Sequence, residues 1–225
     1  MVLICTMIKN NKTKKIIAVD IDNTVSNTIS TWFKFTEIIL RERGITPVRK
    51  PGVFSTNDAY GIDRNSELHT HIKCRNQELN STNWQDYAVV KYAKEMLLKL
   101  KTEGYEICFV SARTDSYFGN ANTVTTKWLN YVGIPYDKVI CNCEDKSDMC
   151  KQINAFVLVD DGLQYCTNAI NNNINAIYFD DENQQTKQSA TCEDGRIIVC
   201  KNWKEIYNSI NVLYKELANE KTINP

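Results

Sequence analysis

A chain of 225 residues, 43% of them apolar, is long enough to bury one large core, alone or with a smaller insertion. Lys plus Arg and Asp plus Glu each number 27, which excludes the global basic excess that draws a protein to nucleic acid or anionic lipid and leaves open only a local basic funnel. The 9 cysteines are odd in number and scattered, which excludes the disulfide framework of a small secreted domain and is read as reduced, buried thiols. Their one cluster, Cys141, Cys143 and Cys150, lacks both Cys-x-x-Cys pairing and the histidines of a zinc site.

Taken in chain order, the apolar run 2–8 is short, has no basic residue ahead of it and is followed by Lys-rich sequence, the reverse of a signal peptide. No stretch reaches the roughly 20 apolar residues of a membrane span. The expectation is a soluble, cytoplasmic protein. Strand 15–19 comes first, short and almost continuously apolar, as strands covered on both faces are. Segment 27–86 then breaks the rhythm, since it is far longer than one crossover. It opens with an amphipathic helix at 31–43 stopped by Gly44, continues through a loop carrying Pro47, Pro51 and Gly52, and holds a polar helical stretch at 64–79. Beyond it, Val90, Ala93, Leu97 and Leu100 share a helical face that ends at Gly104. Strand 105–110 follows, then a helix lined by Val124, Trp128, Leu129 and Val132 and closed by Gly133 and Pro135. Strands at 138–141, 155–159 and 175–179, a polar loop at 180–194 and a final helix at 203–217 complete the series. Strands alternating with helices specify an α/β fold with a Rossmann-like parallel sheet.

The ends of these strands carry the chemistry, because ligands of an open α/β sheet bind outside its carboxyl edge. The first strand ends in Asp20-Ile21-Asp22-Asn23-Thr24. Ser111-Ala112-Arg113 follows the second, Lys146 the third, and Asp160-Asp161 the fourth. Each alone has a bland reading, since Asp and Ser at strand ends commonly cap helices or form turns. Adjacent acids at the end of a buried strand repel unless a cation joins them, and the four sets together point to one site.

In that order and setting the residues resemble the four motifs of the haloacid dehalogenase superfamily. Asp20, Asp22 and Thr24 match the first, the strand ending in Ser111 the second, Lys146 the third, with Lys151 one turn on as the alternative, and Asp160-Asp161 the fourth. The resemblance implies a phosphomonoesterase in which Asp20 attacks phosphorus and becomes transiently phosphorylated, while Asp22 serves as general acid and base. It implies Mg²⁺ held by Asp20, the Asp22 carbonyl and Asp160, with Asp161 behind them. It also implies that Thr24, Ser111, Ala112 and Lys146 receive the phosphoryl group. Residues 1–26 and 87–217 would form the core, 27–86 a mainly helical cap between the first and second motifs, and 218–225 a polar tail.

Within the superfamily the chain is most similar to 5′(3′)-deoxyribonucleotidases, on the Asp-Ile-Asp-Asn-Thr motif, Ser-Ala-Arg-Thr after the second strand, and the run from Thr126-Lys127-Trp128-Leu129 to Gly133-Ile134-Pro135-Tyr136. The expected substrate is thus a small phosphate ester, a (deoxy)nucleoside monophosphate, with no membrane or nucleic-acid partner; a homodimer stays open. Polynucleotide ends, sugar phosphates and a turnover-free phosphate-binding scaffold are the alternatives. The cap aromatics Trp32, Phe33, Phe35, Phe54, Tyr60, Trp84 and Tyr87 offer stacking surface, but Trp32 and Phe35 fall on a helical stripe that suits a core. Arg113 is open between a substrate contact and a surface ion pair.

Overall fold

A computed structural model describes residues 15–53, 55–181 and 195–223. The apolar run 2–8, Phe54 and all but the first two residues of the expected loop 180–194 lie outside them. Strands β1 (Ile16–Val19), β2 (Glu106–Val110), β3 (Lys138–Ile140), β4 (Val157–Asp160), β5 (Asn175–Phe179) and β6 (Ile198–Cys200) form one sheet in the order β3-β2-β1-β4-β5-β6. Every pairing is parallel. The fold is the α/β, Rossmann-like one expected from the sequence. The first five strands stand where the apolar runs place them; β6 was not anticipated, being three residues long behind a polar stretch.

Alternate residues of these strands point to opposite faces, and each face has its own core. Ile17, Val19, Ile107, Phe109, Val157, Val159, Ile177 and Phe179 join one cluster with residues of α4 (Ala93–Thr102), α6 (Ala121–Val132) and α9 (Trp203–Ile223). Ile16, Ala18, Cys108, Val110, Leu158, Ala176 and Tyr178 join another with residues of α7 (Lys146–Ile153) and α8 (Leu163–Asn171). Helix α9 extends past its expected end at 217 and takes in residues read as the start of a polar tail. Among the described residues 7 cysteines are free, 6 of them buried, as reduced core thiols should be.

Trp203 at the start of α9 is wholly buried and donates its indole N–H to the Thr24 carbonyl at 2.7 Å, tying the last helix to the loop after β1. Trp203→Phe keeps an aromatic side chain but a smaller one, so it removes the donor to that carbonyl and leaves a cavity at a wholly buried site. It should cost about 1–3 kcal/mol, read as a fall in the urea midpoint; an unchanged midpoint would count against the tie.

Between β1 and β2 the chain forms α1 (Thr28–Glu42), α2 (Thr56–Tyr60), α3 (Glu67–Thr82) and a 3₁₀ turn at Trp84–Asp86 before reaching α4. Small cores of their own, Ile29, Phe33 and Ala59 in one and Ile39, Ile62 and Ile72 in another, hold these helices together. Trp32 and Phe35 pack against the main core as their stripe suggests. The short α2, missed in the sequence, is stopped by Gly61 in a left-handed conformation, φ 65°.

Candidate active site

The strand order places the site. From β1 the chain steps outward to β2 and β3, then returns to lay β4 on the other side of β1. The loops after β1 and β4 therefore part at the topological switch point, where open α/β sheets bind ligands. Val19 is in register with Phe109 and Val159, so Asp20 and Asp160 stand side by side as the next residues of adjacent strands. The Asp20 amide donates to the Val159 carbonyl at 2.9 Å, which continues the ladder to the carboxylate itself.

The loop after β1 turns sharply. Asn23 adopts a left-handed conformation, φ 60°, which Asn tolerates better than most residues, and its side-chain oxygen accepts from the Ile29 amide at 2.9 Å at the start of α1. Thr24 is buried with its hydroxyl 3.4 Å from Asp20 Oδ2. On the other side, the Asp145 side chain caps α7 by accepting from the Asp148 amide at 3.0 Å, which fixes Lys146 as the first helical residue. From there the buried Lys146 ammonium reaches Asp20 Oδ1 at 2.6 Å and Asp160 Oδ2 at 2.7 Å. Asp160 Oδ1 accepts from the Gly162 amide at 2.8 Å. Gly162 must be glycine, because a Cβ there would lie 2.8 Å from the Tyr165 ring and 3.1 Å from Asp160 Oδ1.

Electrostatics follow from this crowding. Burial, and then Asp160, Asp161 and Asp22, push the Asp20 carboxyl well above the usual range against the pull of Lys146. Burial opposes the charge on Lys146, but Asp20 and Asp160 outweigh it and hold the ammonium protonated. One carboxylate oxygen from each of Asp20, Asp160 and Asp161 lies within 4.8 Å of the others. All the donors of this cluster are hard carboxylate oxygens in a largely buried space. That set fits a divalent cation such as Mg²⁺.

Asp22 has a different partner. Arg113, its side chain 2% exposed, grips the Asp22 carboxylate through Nε at 2.9 Å and Nη2 at 2.7 Å, and its Nη1 donates to Thr125 Oγ1 at 3.0 Å. The Thr28 hydroxyl adds a 2.5 Å bond to Asp22 Oδ1. Burial pushes the Asp22 carboxyl up, yet the charge and hydrogen bonds of Arg113 prevail and hold it below its ordinary value. Arg113 is thus a buried fork, not a surface ion pair. Ser111, 1% exposed, lies at the end of β2 with its Oγ 3.3 Å from the Arg113 amide, and Ala112 stands between them.

No family model matches the chain, and no curated protein resembles it closely enough to be matched. Solved structures do. A haloacid dehalogenase superfamily hydrolase from Ehrlichia chaffeensis aligns over 89% of this chain and 97% of its own, at 16% identity and a TM-score of 0.52. A candidate phosphatase from Clostridium difficile aligns over 88% and 99%, at 14% identity and 0.65. A haloacid dehalogenase family hydrolase from Deinococcus radiodurans, solved with bound phosphate and sodium, aligns over 89% and 96%, at 9% identity and 0.65. The chain has the haloacid dehalogenase fold. At such identities the likeness concerns architecture, and the chemistry must come from the side chains.

On that fold Asp20, Asp22, Thr24, Ser111, Ala112, Lys146, Asp160 and Asp161 all lie at the carboxyl edge of β1, β2 and β4 or at the start of α7. Lys151 does not join them; its Nζ bonds Asn172 at the surface, 2.5 Å away. If the cluster turns over a phosphate ester, Lys146→Met should lower that turnover by about 10²–10³, and Lys151→Met should change it less than about twofold. Equal losses would remove the distinction. Sequence reasoning overlooked Arg113 as the partner of Asp22, Thr28 beside it, and Tyr165, whose ring lies 4.1 Å from the Lys146 ammonium. Only the glycine after Asp160-Asp161 advertised the tight approach there.

Proposed function

We propose that this chain is a Mg²⁺-dependent phosphomonoesterase that works through an aspartyl-phosphate on Asp20 and acts on nucleoside monophosphates. The observation that carries the reading is the Asp20, Asp160 and Asp161 cluster, bridged by Lys146, at the switch point of the sheet. Asp20 attacks phosphorus as the bond to the leaving oxygen breaks, and Asp22 gives that oxygen its proton. Water then attacks the aspartyl-phosphate, Asp22 takes its proton, and the bond from Asp20 to phosphorus breaks to release phosphate. Arg113 orients Asp22 and favours the ionised form that the second step requires, so the proton Asp22 passes to the leaving oxygen in the first step is one it takes from the incoming monoprotonated ester. Thr24, Ser111, Lys146 and the backbone at Ala112 hold the phosphoryl oxygens as charge spreads over them. Asp20, the Asp22 carbonyl and Asp160, with Asp161 behind, would hold a Mg²⁺, which would supply the charge neutralisation that lets an anionic nucleophile meet an anionic ester.

Residues 27–86 act in this reading as a cap over a core of 1–26 and 87–217. Preference for nucleotides rests on the Asp-Ile-Asp-Asn-Thr and Ser-Ala-Arg-Thr motifs. A cytoplasmic setting suits the free thiols, and among the described residues no helix is long and apolar enough to cross a membrane. The test is phosphate release from deoxynucleoside and ribonucleoside monophosphates, sugar phosphates and an aryl phosphate. Higher kcat/KM on nucleotides supports the reading, and higher kcat/KM on sugar phosphates overturns the substrate while leaving the chemistry.

A further inference from the structure

The Lys146 ammonium has a neighbour besides its two carboxylates. Tyr165, in the first turn of α8, sets the centre of its ring 4.1 Å from that nitrogen, well inside the roughly 6 Å over which the negative face of an aromatic ring attracts a cation. The Lys146 side chain is 3% exposed. Water therefore screens the attraction little, and desolvated pairs of this kind are the stronger ones.

The ring is held where it stands. Tyr165 packs against the core that contains Leu158, Cys166 and Ala169, and its amide donates to the Gly162 carbonyl at 3.0 Å. Gly162 leaves the room for this approach, since a Cβ there would lie 2.8 Å from Cδ2 of the ring and 3.1 Å from Asp160 Oδ1. One bare backbone position thus seats both the aromatic face and the acid beside the same lysine.

This ring differs in kind from the other two partners. Asp20 and Asp160 hold the ammonium at 2.6 and 2.7 Å, but each has a second duty in the chemistry above, Asp20 towards phosphorus and Asp160 towards the metal it would hold. The ring has none. A phenol is neutral near pH 7, and its face offers neither a competing charge nor a site for a hard cation that prefers oxygen. It goes on attracting the ammonium while both acids are engaged, and leaves the N–H donors to the phosphoryl oxygens.

We propose that Tyr165 is a positioning residue whose ring face keeps the Lys146 ammonium at the phosphoryl site while Asp20 and Asp160 turn to their own partners. The inference rests on the phosphomonoesterase reading above and adds the group that keeps its cation in place. The test changes the charge of the ring face at nearly constant outline. Tyr165→Phe keeps the face and serves as the reference; Tyr165→pentafluorophenylalanine keeps the shape but withdraws electrons until the face no longer attracts a cation. With Mg²⁺ and an aryl phosphate, kcat/KM of the fluorinated variant should lie about tenfold below that of Tyr165→Phe. With Lys146→Met added to each, the two should agree to within about twofold, because no cation is left for the ring to hold. Agreement of the two variants while Lys146 is present overturns the inference and leaves the phosphatase reading standing. A gap that survives Lys146→Met also overturns it, since the ring would then act through packing or through another group. If the wild type releases no phosphate from the aryl ester, the phosphatase reading falls and this inference with it.

Discussion

Asp20→Asn should reduce Mg²⁺-dependent phosphate release from a generic aryl phosphate by a factor of about 10³ or more, a loss typical of removing a nucleophile. The amide fills the same volume but cannot form the acyl phosphate. The substitution also replaces a buried carboxyl whose charged form burial, Asp160, Asp161 and Asp22 all disfavour. The variant should therefore fold, and in Mg²⁺-free buffer it should unfold at no lower urea concentration than the wild type. Loss of activity without loss of stability separates a chemical role from a structural one. Full activity in Asp20→Asn would sink the nucleophile assignment.

Arg113→Met should act in the opposite sense on stability. It strands Asp22, whose side chain is 27% exposed, without the cation that holds it ionised. Breaking a buried pair from one side typically costs more than the pair is worth, here about 2–4 kcal/mol in view of that partial exposure. Activity should fall about 10²-fold as well, because Asp22 loses the fork that orients it. The double variant Asp22→Asn with Arg113→Met should recover more than half of the lost stability. Strict additivity of the two single losses would show that the groups are uncoupled. Arg113→Lys should not restore activity fully, since an ammonium cannot reproduce two converging N–H donors.

The legible parts of this molecule were those fixed by local pattern. Asp20, Ser111, Lys146 and Asp160-Asp161 could be placed at one edge because each follows an apolar run, and parallel strands all present the same end. Lys146 could be preferred to Lys151 because helix geometry separates their directions. What stayed hidden depended on how separate loops fold over one another. Nothing in Ser111-Ala112-Arg113 announces that the guanidinium turns inward to Asp22, since that requires Thr125 of α6 to take its other end. Strand β6 was hidden by its length, and α2 by the prolines and glycine before it.

The position of β1 also governs when this protein can become itself. Its Ile17 pairs with Ile107 on one side and with Val157 on the other, so the central strand waits for most of the chain before both of its edges are closed. Such non-local pairing slows folding, because loop-closure entropy must be met before the contacts repay it. During synthesis an apolar strand ending in a pair of carboxylates would remain half-bare, in need of shelter from other strands. A ribosome stalled before Val157 therefore carries a chain whose Asp20 has no Asp160 beside it, and the carboxylate cluster cannot assemble before β4 is laid against β1.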